Sequence, residues 1–160
     1  MPEVKNLYTI IARDVTTDAS DNMNSLIKII DKFTFGINKE EFDKNAANLK
    51  GQPIGFPANY SVATSWIFGA KLKKDTLLNF KISIVDPKGK QLEGGPEQEN
   101  QLPTGIDKVN MNFNVQGMPV TIAGKYKILA EVFSKDGVLL ARGEYPFEVE
   151  LSDAPAAPAA

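Results

Sequence analysis

Apolar and polar residues alternate with a period of two through most of this chain. In residues 107–115, Val109, Met111, Phe113 and Val115 take one parity, and Lys108, Asn110, Asn112 and Asn114 take the other. In 76–86, Leu78, Phe80, Ile82 and Ile84 are expected to point inward, with Asn79, Lys81 and Ser83 outward. In 58–70, Tyr60, Val62, Thr64, Trp66 and Phe68 share a face, and small residues occupy the other. Side chains of a strand alternate between faces, so this pattern predicts half-buried strands. Trp66 sits on an apolar face, which reads as a core anchor rather than a binding platform. Residues 6–13, β-branched and aromatic, predict a first strand. Residues 25–37 form an apolar run in which Ile27, Ile29, Phe33, Phe35 and Ile37 share parity with Asp31 among them. An unpaired carboxylate is costly to bury, so a bulge or a bend between sheets is expected at Asp31-Lys32.

Residues 124–151 predict a long terminal hairpin. Tyr126, Ile128, Ala130 and Val132 share one face of its first strand; Leu139, Ala141, Tyr145, Phe147, Val149 and Leu151 share one face of its second. Asp136-Gly137 between them suits the positive φ of a tight turn. Pro146 lacks a backbone donor and predicts an edge position or a bulge. Glu144, Glu148 and Glu150, with Arg142, form a charged face that blunts an edge. Gly124-x-Tyr126 is the entry of a tyrosine corner, or else Tyr126 is a plain core aromatic.

The alternation breaks at defined places. Asn38 with Glu41 is a helix N-cap pattern, Phe42, Ala46 and Leu49 recur at helical spacing, and Gly51 suits the stop. Residues 14–24 and 51–57 read as loops. Asp86-Pro87-Lys88-Gly89 is a turn leading to a short strand at 90–93, residues 94–106 read as a mobile polar loop, and 116–123 as a long connection. The expected fold is all-β: an immunoglobulin-like two-sheet antiparallel β-sandwich with one short inserted helix at about 39–50. An antiparallel β-barrel is the alternative. Residues 1–151 would form the single domain, and the Ala/Pro-rich 152–160 a disordered tail.

Composition narrows the chemistry. The 160 residues carry a net charge of −2 with no Lys/Arg run, so a nucleic-acid partner is not expected. There is no Cys and no His. That excludes disulfides, Cys/His zinc sites and Ser-His-Asp or Cys-His catalysis. No signal peptide or membrane span is legible, and a Cys-free chain suits a cytoplasmic address while folding in either redox compartment.

Several stretches are similar to a bacterial family of small uncharacterised immunoglobulin-like β-sandwich domains. They are Asp14, Asn24, Leu26, Ile29, Ile30 and Asp31 after the first strand, Val85-Asp86-Pro87 with Gly89 at a strand end, and Gly124-x-Tyr126 at the final hairpin. The likeness covers most of residues 7–150. This chain departs from it where Lys28 stands in place of a glycine and where the helix after Asn38 is inserted. The resemblance implies an architecture and no transferable activity.

Two clusters are candidates for chemistry. Asp14, Asp18 and Asp21 crowd one loop with oxygen ligands of the kind Ca²⁺ takes, against the plainer reading of a solvated loop. Asn110, Asn112 and Asn114 line one strand face and could hydrogen-bond a sugar or a partner's peptide edge, or be its wet side. No spacing marks a carboxylate pair for hydrolysis. The expectation is a non-catalytic immunoglobulin-like module, without cofactor or metal, acting through contact with a protein partner or with itself. The alternatives are a small-ligand or carbohydrate-binding accessory domain and a structural subunit of a bacterial or phage assembly.

Overall fold

A computed structural model describes residues 4–17, 20, 24–69, 76–101 and 107–153. Its elements in chain order are β1 (Val4–Thr17), β2 (Asn24–Ile29), β3 (Lys32–Gly36), α1 (Lys39–Asn48), β4 (Ile54–Phe68), β5 (Leu77–Val85), β6 (Gln91–Leu92), β7 (Glu97–Gln101), β8 (Lys108–Val120), β9 (Gly124–Ser134) and β10 (Leu139–Ser152). One sheet has the order β2-β1-β4-β8. The other runs β3-β10-β9-β5-β6, with β7 also paired to β5. The two sheets enclose a common core and keep separate edges, so the chain is a sandwich and not a barrel. Pairing is antiparallel except that β3 lies parallel on β10.

The core follows the alternation. Tyr60, Val62, Thr64, Trp66 and Phe68 of β4 are buried from one sheet, and Leu78, Phe80 and Ile82 of β5 with Ile128, Ala130, Val132, Phe147 and Val149 from the other. Trp66 is 1 % exposed, gives its indole N–H to Thr64 Oγ1 at 2.9 Å, and packs on Phe80 at 6.1 Å. The chain changes sheets between β2 and β3, at the Asp31-Lys32 bend. Phe33 and Phe35 then enter the core, and the Asp31 carbonyl accepts the Glu148 N–H at 2.9 Å. Asn38 caps α1 by accepting the Glu41 N–H at 2.7 Å, and the helix buries Phe42 against Phe56.

The structure corrects several expectations. Ile27 and Ile29 pair with Asp14 and Ala12 on the outer face of β1, so they are 46 % and 58 % exposed. Residues 97–101 of the expected loop form β7, whose polar side chains hide a backbone ladder with β5. Residues 116–120 continue β8 rather than connect. Gly117 takes φ 83 beside a register shift, which moves the buried parity to Met118 and Val120. Leu49 is 42 % exposed because α1 turns mainly Phe42 inward. Pro146, by contrast, lies at an edge position as expected, where among the described residues only β9 flanks β10; from Glu148 onward β3 covers the other side. Asp18, Asp21, residues 102–106 and the tail from 154 lie outside the described residues.

Lys28 is one of two non-glycine residues at positive φ among those described, at 52°. It stands where the resemblance places glycine. The left-handed conformation costs an L-residue about 1–2 kcal/mol, and glycine loses about 0.5–1 kcal/mol more chain entropy on folding. Lys28→Gly is therefore expected to stabilise the protein by about 0.5–1 kcal/mol, raising Tm by roughly 1–4 °C. A calorimetric scan showing no rise, or a fall, would contradict the assignment of strain to this residue.

Candidate functional site

The amide row lies on the outer face of β8, which pairs with β4 through Ser61↔Asn114, Ala63↔Asn112 and Ser65↔Asn110. Ser61 Oγ donates to Asn114 Oδ1 at 2.9 Å, and Ser65 Oγ donates to Asn110 Oδ1 at 2.7 Å. The middle rung has an alanine where its neighbours have serines. Asn112 Oδ1 is buried and has no hydrogen-bond partner among the described residues. A buried acceptor left unpaired costs about 1–3 kcal/mol, so the row is two satisfied rungs around a frustrated one. Next to it the same face carries half-buried Tyr8 and Ile10 on β1 and the exposed Ile27, Ile29 and Ile67.

β8 is also the end of its sheet, hydrogen-bonded among the described residues only to β4. Its pairing is regular from Lys108 to Gln116, and between Val109 and Gln116 it carries no charge, glycine or proline. Native edge strands are usually short, charged or bulged. The other edges fit that rule. β2 carries Lys28 at positive φ, β3 carries Lys32 in an ion pair with Glu150, β6 has two residues, and β7 carries Glu97 and Glu99. The hydrogen bond from Lys32 to Glu150 raises the Lys32 pKa. On β8 only the ends are guarded, by Lys108 and by Gly117 with Pro119.

Beneath the second half of β8 a cavity of ≈ 100 Å³ opens between the sheets, walled by Ile82, Ile84, Leu92, Val115 and Ile128 with Tyr60. Burial pushes the Tyr60 hydroxyl up to about 12. That hydroxyl reaches the Gly117 carbonyl only at 3.5 Å.

The Asp cluster is not assembled in the described region. Asp14 is exposed on β1, its two companions lie outside the described residues, and no group of three acidic side chains there could hold a metal. The charged hairpin face forms ion pairs. Lys127 meets Glu144 at 3.2 Å, and Arg142 meets the 4 %-exposed Glu131 at 2.6 Å. Asp86, which the sequence marked only as a turn residue, is buried at a junction of turns. Its Oδ1 accepts the N–H groups of Lys88 (3.0 Å) and Lys90 (2.8 Å), and its Oδ2 accepts the Thr121 hydroxyl at 2.8 Å. Thr121 N–H donates to the Tyr126 hydroxyl at 3.0 Å, and that hydroxyl donates to the Ile122 carbonyl at 2.7 Å. Tyr126 is thus a tyrosine corner, which decides between the two readings of Gly124-x-Tyr126.

No protein-family model matches the chain, and no curated protein matches it in sequence. Among solved structures it is similar to an immunoglobulin-like protein from Pseudomonas aeruginosa, at 18 % identity over 92 % of this chain and 97 % of that one, with a TM-score of 0.38. It is also similar to a β-glucuronidase from Bacteroides uniformis, at 13 % identity and a TM-score of 0.43, over 59 % of this chain. A third is β-glucosidase 3B from Thermotoga neapolitana, at 13 % identity and 0.34 over 61 % of this chain. The matched region spans 12 % and 16 % of those two glycosidases, respectively.

Proposed function

We propose that this is a non-catalytic immunoglobulin-like module that acts through protein–protein contact by accepting a strand on the outer edge of β8, the end strand of its sheet among the described residues. The observation that supports the reading most is the uncharged window from Val109 to Gln116 on an otherwise guarded set of edges. Strand addition gains main-chain hydrogen bonds along such an edge, and alternate side chains supply selectivity. Here the selective side chains are Asn110, Asn112 and Asn114. Asn112 is the one of the three opposite an alanine of β4 rather than a serine. The compartment proposed is the cytoplasm, where a chain without Cys loses nothing. Among the described residues no helix is long and apolar enough to cross a membrane.

The test is a charge placed in the middle of the window. Asn112→Lys is expected to keep the fold, with Tm within a few degrees of the parent, and to weaken capture of the partner from a cell extract at least tenfold. In the isolated complex, hydrogen exchange of the β8 amides slows relative to the free protein. Undiminished capture by Asn112→Lys, or protection confined to another edge, would refute the reading.

A further inference from the structure

The uncharged window of β8 is nearly its own mirror image in sequence. Residues 109–115 read Val-Asn-Met-Asn-Phe-Asn-Val, a palindrome about Asn112 broken only by Met111 against Phe113, two large apolar side chains. Antiparallel pairing about a two-fold axis sets residue i against residue j and j against i. With the axis at Asn112, Val109 meets Val115 of a second copy, Asn110 meets Asn114, Met111 meets Phe113, and Asn112 meets itself. No charge opposes a charge in this register; Lys108 falls opposite Gln116. The apolar pairs continue the inner face, where Met111 and Phe113 are each 5 % exposed, and the amide pairs continue the outer one. At the centre lies Asn112, the amide of the row that takes no hydrogen bond from a serine of β4, and the axis sets an identical amide opposite it.

We infer that the strand accepted by β8 is β8 of a second copy, paired antiparallel about Asn112, so that two four-stranded sheets join into one of the order β2-β1-β4-β8-β8-β4-β1-β2. The inference rests on the edge reading above and names its partner. Lys108 at one end and Gly117 with Pro119 at the other bound the pairing, which selects this register over slipped ones. The joined sheet also carries Tyr8, Ile10, Ile27, Ile29 and Ile67 of both copies on one outer face.

The chain has no cysteine, so each introduced one reports a single position. Residues directly opposite in an antiparallel pair have Cα atoms about 4.5–5.5 Å apart, within disulfide reach. Asn112→Cys is therefore expected to give a covalent dimer under mild oxidation. Asn110→Cys alone and Asn114→Cys alone should not, because each lies four residues, roughly 13 Å, from its own copy along the strand. An equimolar mixture of those two variants should cross-link, since the register sets one against the other. Light scattering of the parent protein at high micromolar concentration should give twice the 17.5 kDa chain mass, and Asn112→Lys, which sets Lys against Lys, should return it to one. A parent protein of single-chain mass at that concentration, or cross-linking of the Asn110→Cys or Asn114→Cys variant alone as fast as of Asn112→Cys, would overturn the inference. A monomeric parent that still captures another protein in an Asn112-dependent way overturns the second copy as partner and leaves the edge reading standing.

Discussion

Asp86→Ala is expected to lower the unfolding free energy by about 3 kcal/mol, because one 5 %-exposed carboxylate accepts three hydrogen bonds from two separate turns. Oδ1 holds the Lys88 and Lys90 amides, closing the turn that carries β5 into β6. Oδ2 holds Thr121, which precedes the tyrosine corner leading into β9. Alanine removes the acceptor and leaves donors from both segments seeking water in a partly closed site. For a chain of this length the loss corresponds to a Tm lower by roughly 6–12 °C. Asp86→Asn should cost much less, about 1 kcal/mol, since its amide oxygen can keep the two backbone donors while the Thr121 hydroxyl turns to accept from the amide nitrogen. Thr121→Val removes the link between turns together with the 3.4 Å contact of its hydroxyl to the Tyr126 hydroxyl, and in a double-mutant cycle with Asp86→Ala it should show coupling of about 1 kcal/mol. Urea melts would check all four proteins. An Asp86→Ala midpoint matching the parent's would show that the turn closes without its carboxylate.

Asp86 also shows where sequence reasoning stops. Asp-Pro-x-Gly marks a turn from local chemistry alone, and the turn is there, with Gly89 N–H on the Asp86 carbonyl at 2.9 Å and Gly89 at φ 83. Nothing local says that the carboxylate is buried or that it reaches a threonine 35 positions away. Period-two alternation was legible wherever large apolar side chains take one face and small or polar ones the other, as in β4 and β5, even though Ser61, Ala63 and Ser65 on the second face of β4 are buried too. It misled at β2 because alternation identifies two faces without saying which is inward. Ile27 and Ile29 keep the parity of Phe33 and Phe35, but the bend at Asp31 transfers the chain to the other sheet between them. β7 was missed because Glu-Gln-Glu-Asn-Gln has no apolar face to announce a strand; it is held by the β5 backbone, not by burial.

The amide row was legible as a face, and its chemistry was not. That Ser61 and Ser65 satisfy the outer asparagines while Ala63 leaves the middle one unsatisfied depends on the β4–β8 register, which no residue of either strand fixes alone. The position of β8 at the end of the sheet is a property of chain order in space. Pairing strength falls on the long-range contacts that sequence patterns do not encode. The missing charges between Val109 and Gln116 were visible from the start, but they gain meaning only on an edge, since a central strand needs no such guard.

Gly95 predicts the other large loss, and for a reason of space rather than backbone shape, since its φ lies outside the left-handed region. A Cβ there would fall 1.8 Å from the Ile82 carbonyl oxygen and 2.9 Å from its carbon. Those atoms belong to β5, which is held on its far side by β9 through Ile82↔Ala130 and so cannot retreat. The segment carrying Gly95 must leave instead, breaking the 2.9 Å bond from Ile82 N–H to the Pro96 carbonyl and opening the cavity beside Leu92. Gly95→Ala should therefore cost about 3 kcal/mol or more, with Tm lower by at least roughly 6 °C. Gly143→Ala is the informative contrast. Its Cβ would stand 2.2 Å from Asn6 Oδ1 and 2.5 Å from Thr9 Oγ1, atoms at the ends of side chains that can turn away. The expected loss there is smaller, about 1–2 kcal/mol, arising as Asn6 gives up its bonds to the Tyr8 and Ser65 carbonyls at the β1 bulge. Hydrogen exchange separates the two mechanisms. Gly95→Ala should unprotect the Ile82 amide while β1 stays as in the parent, and an Ile82 amide as slow as the parent's would mean that the strand accommodates the methyl group after all.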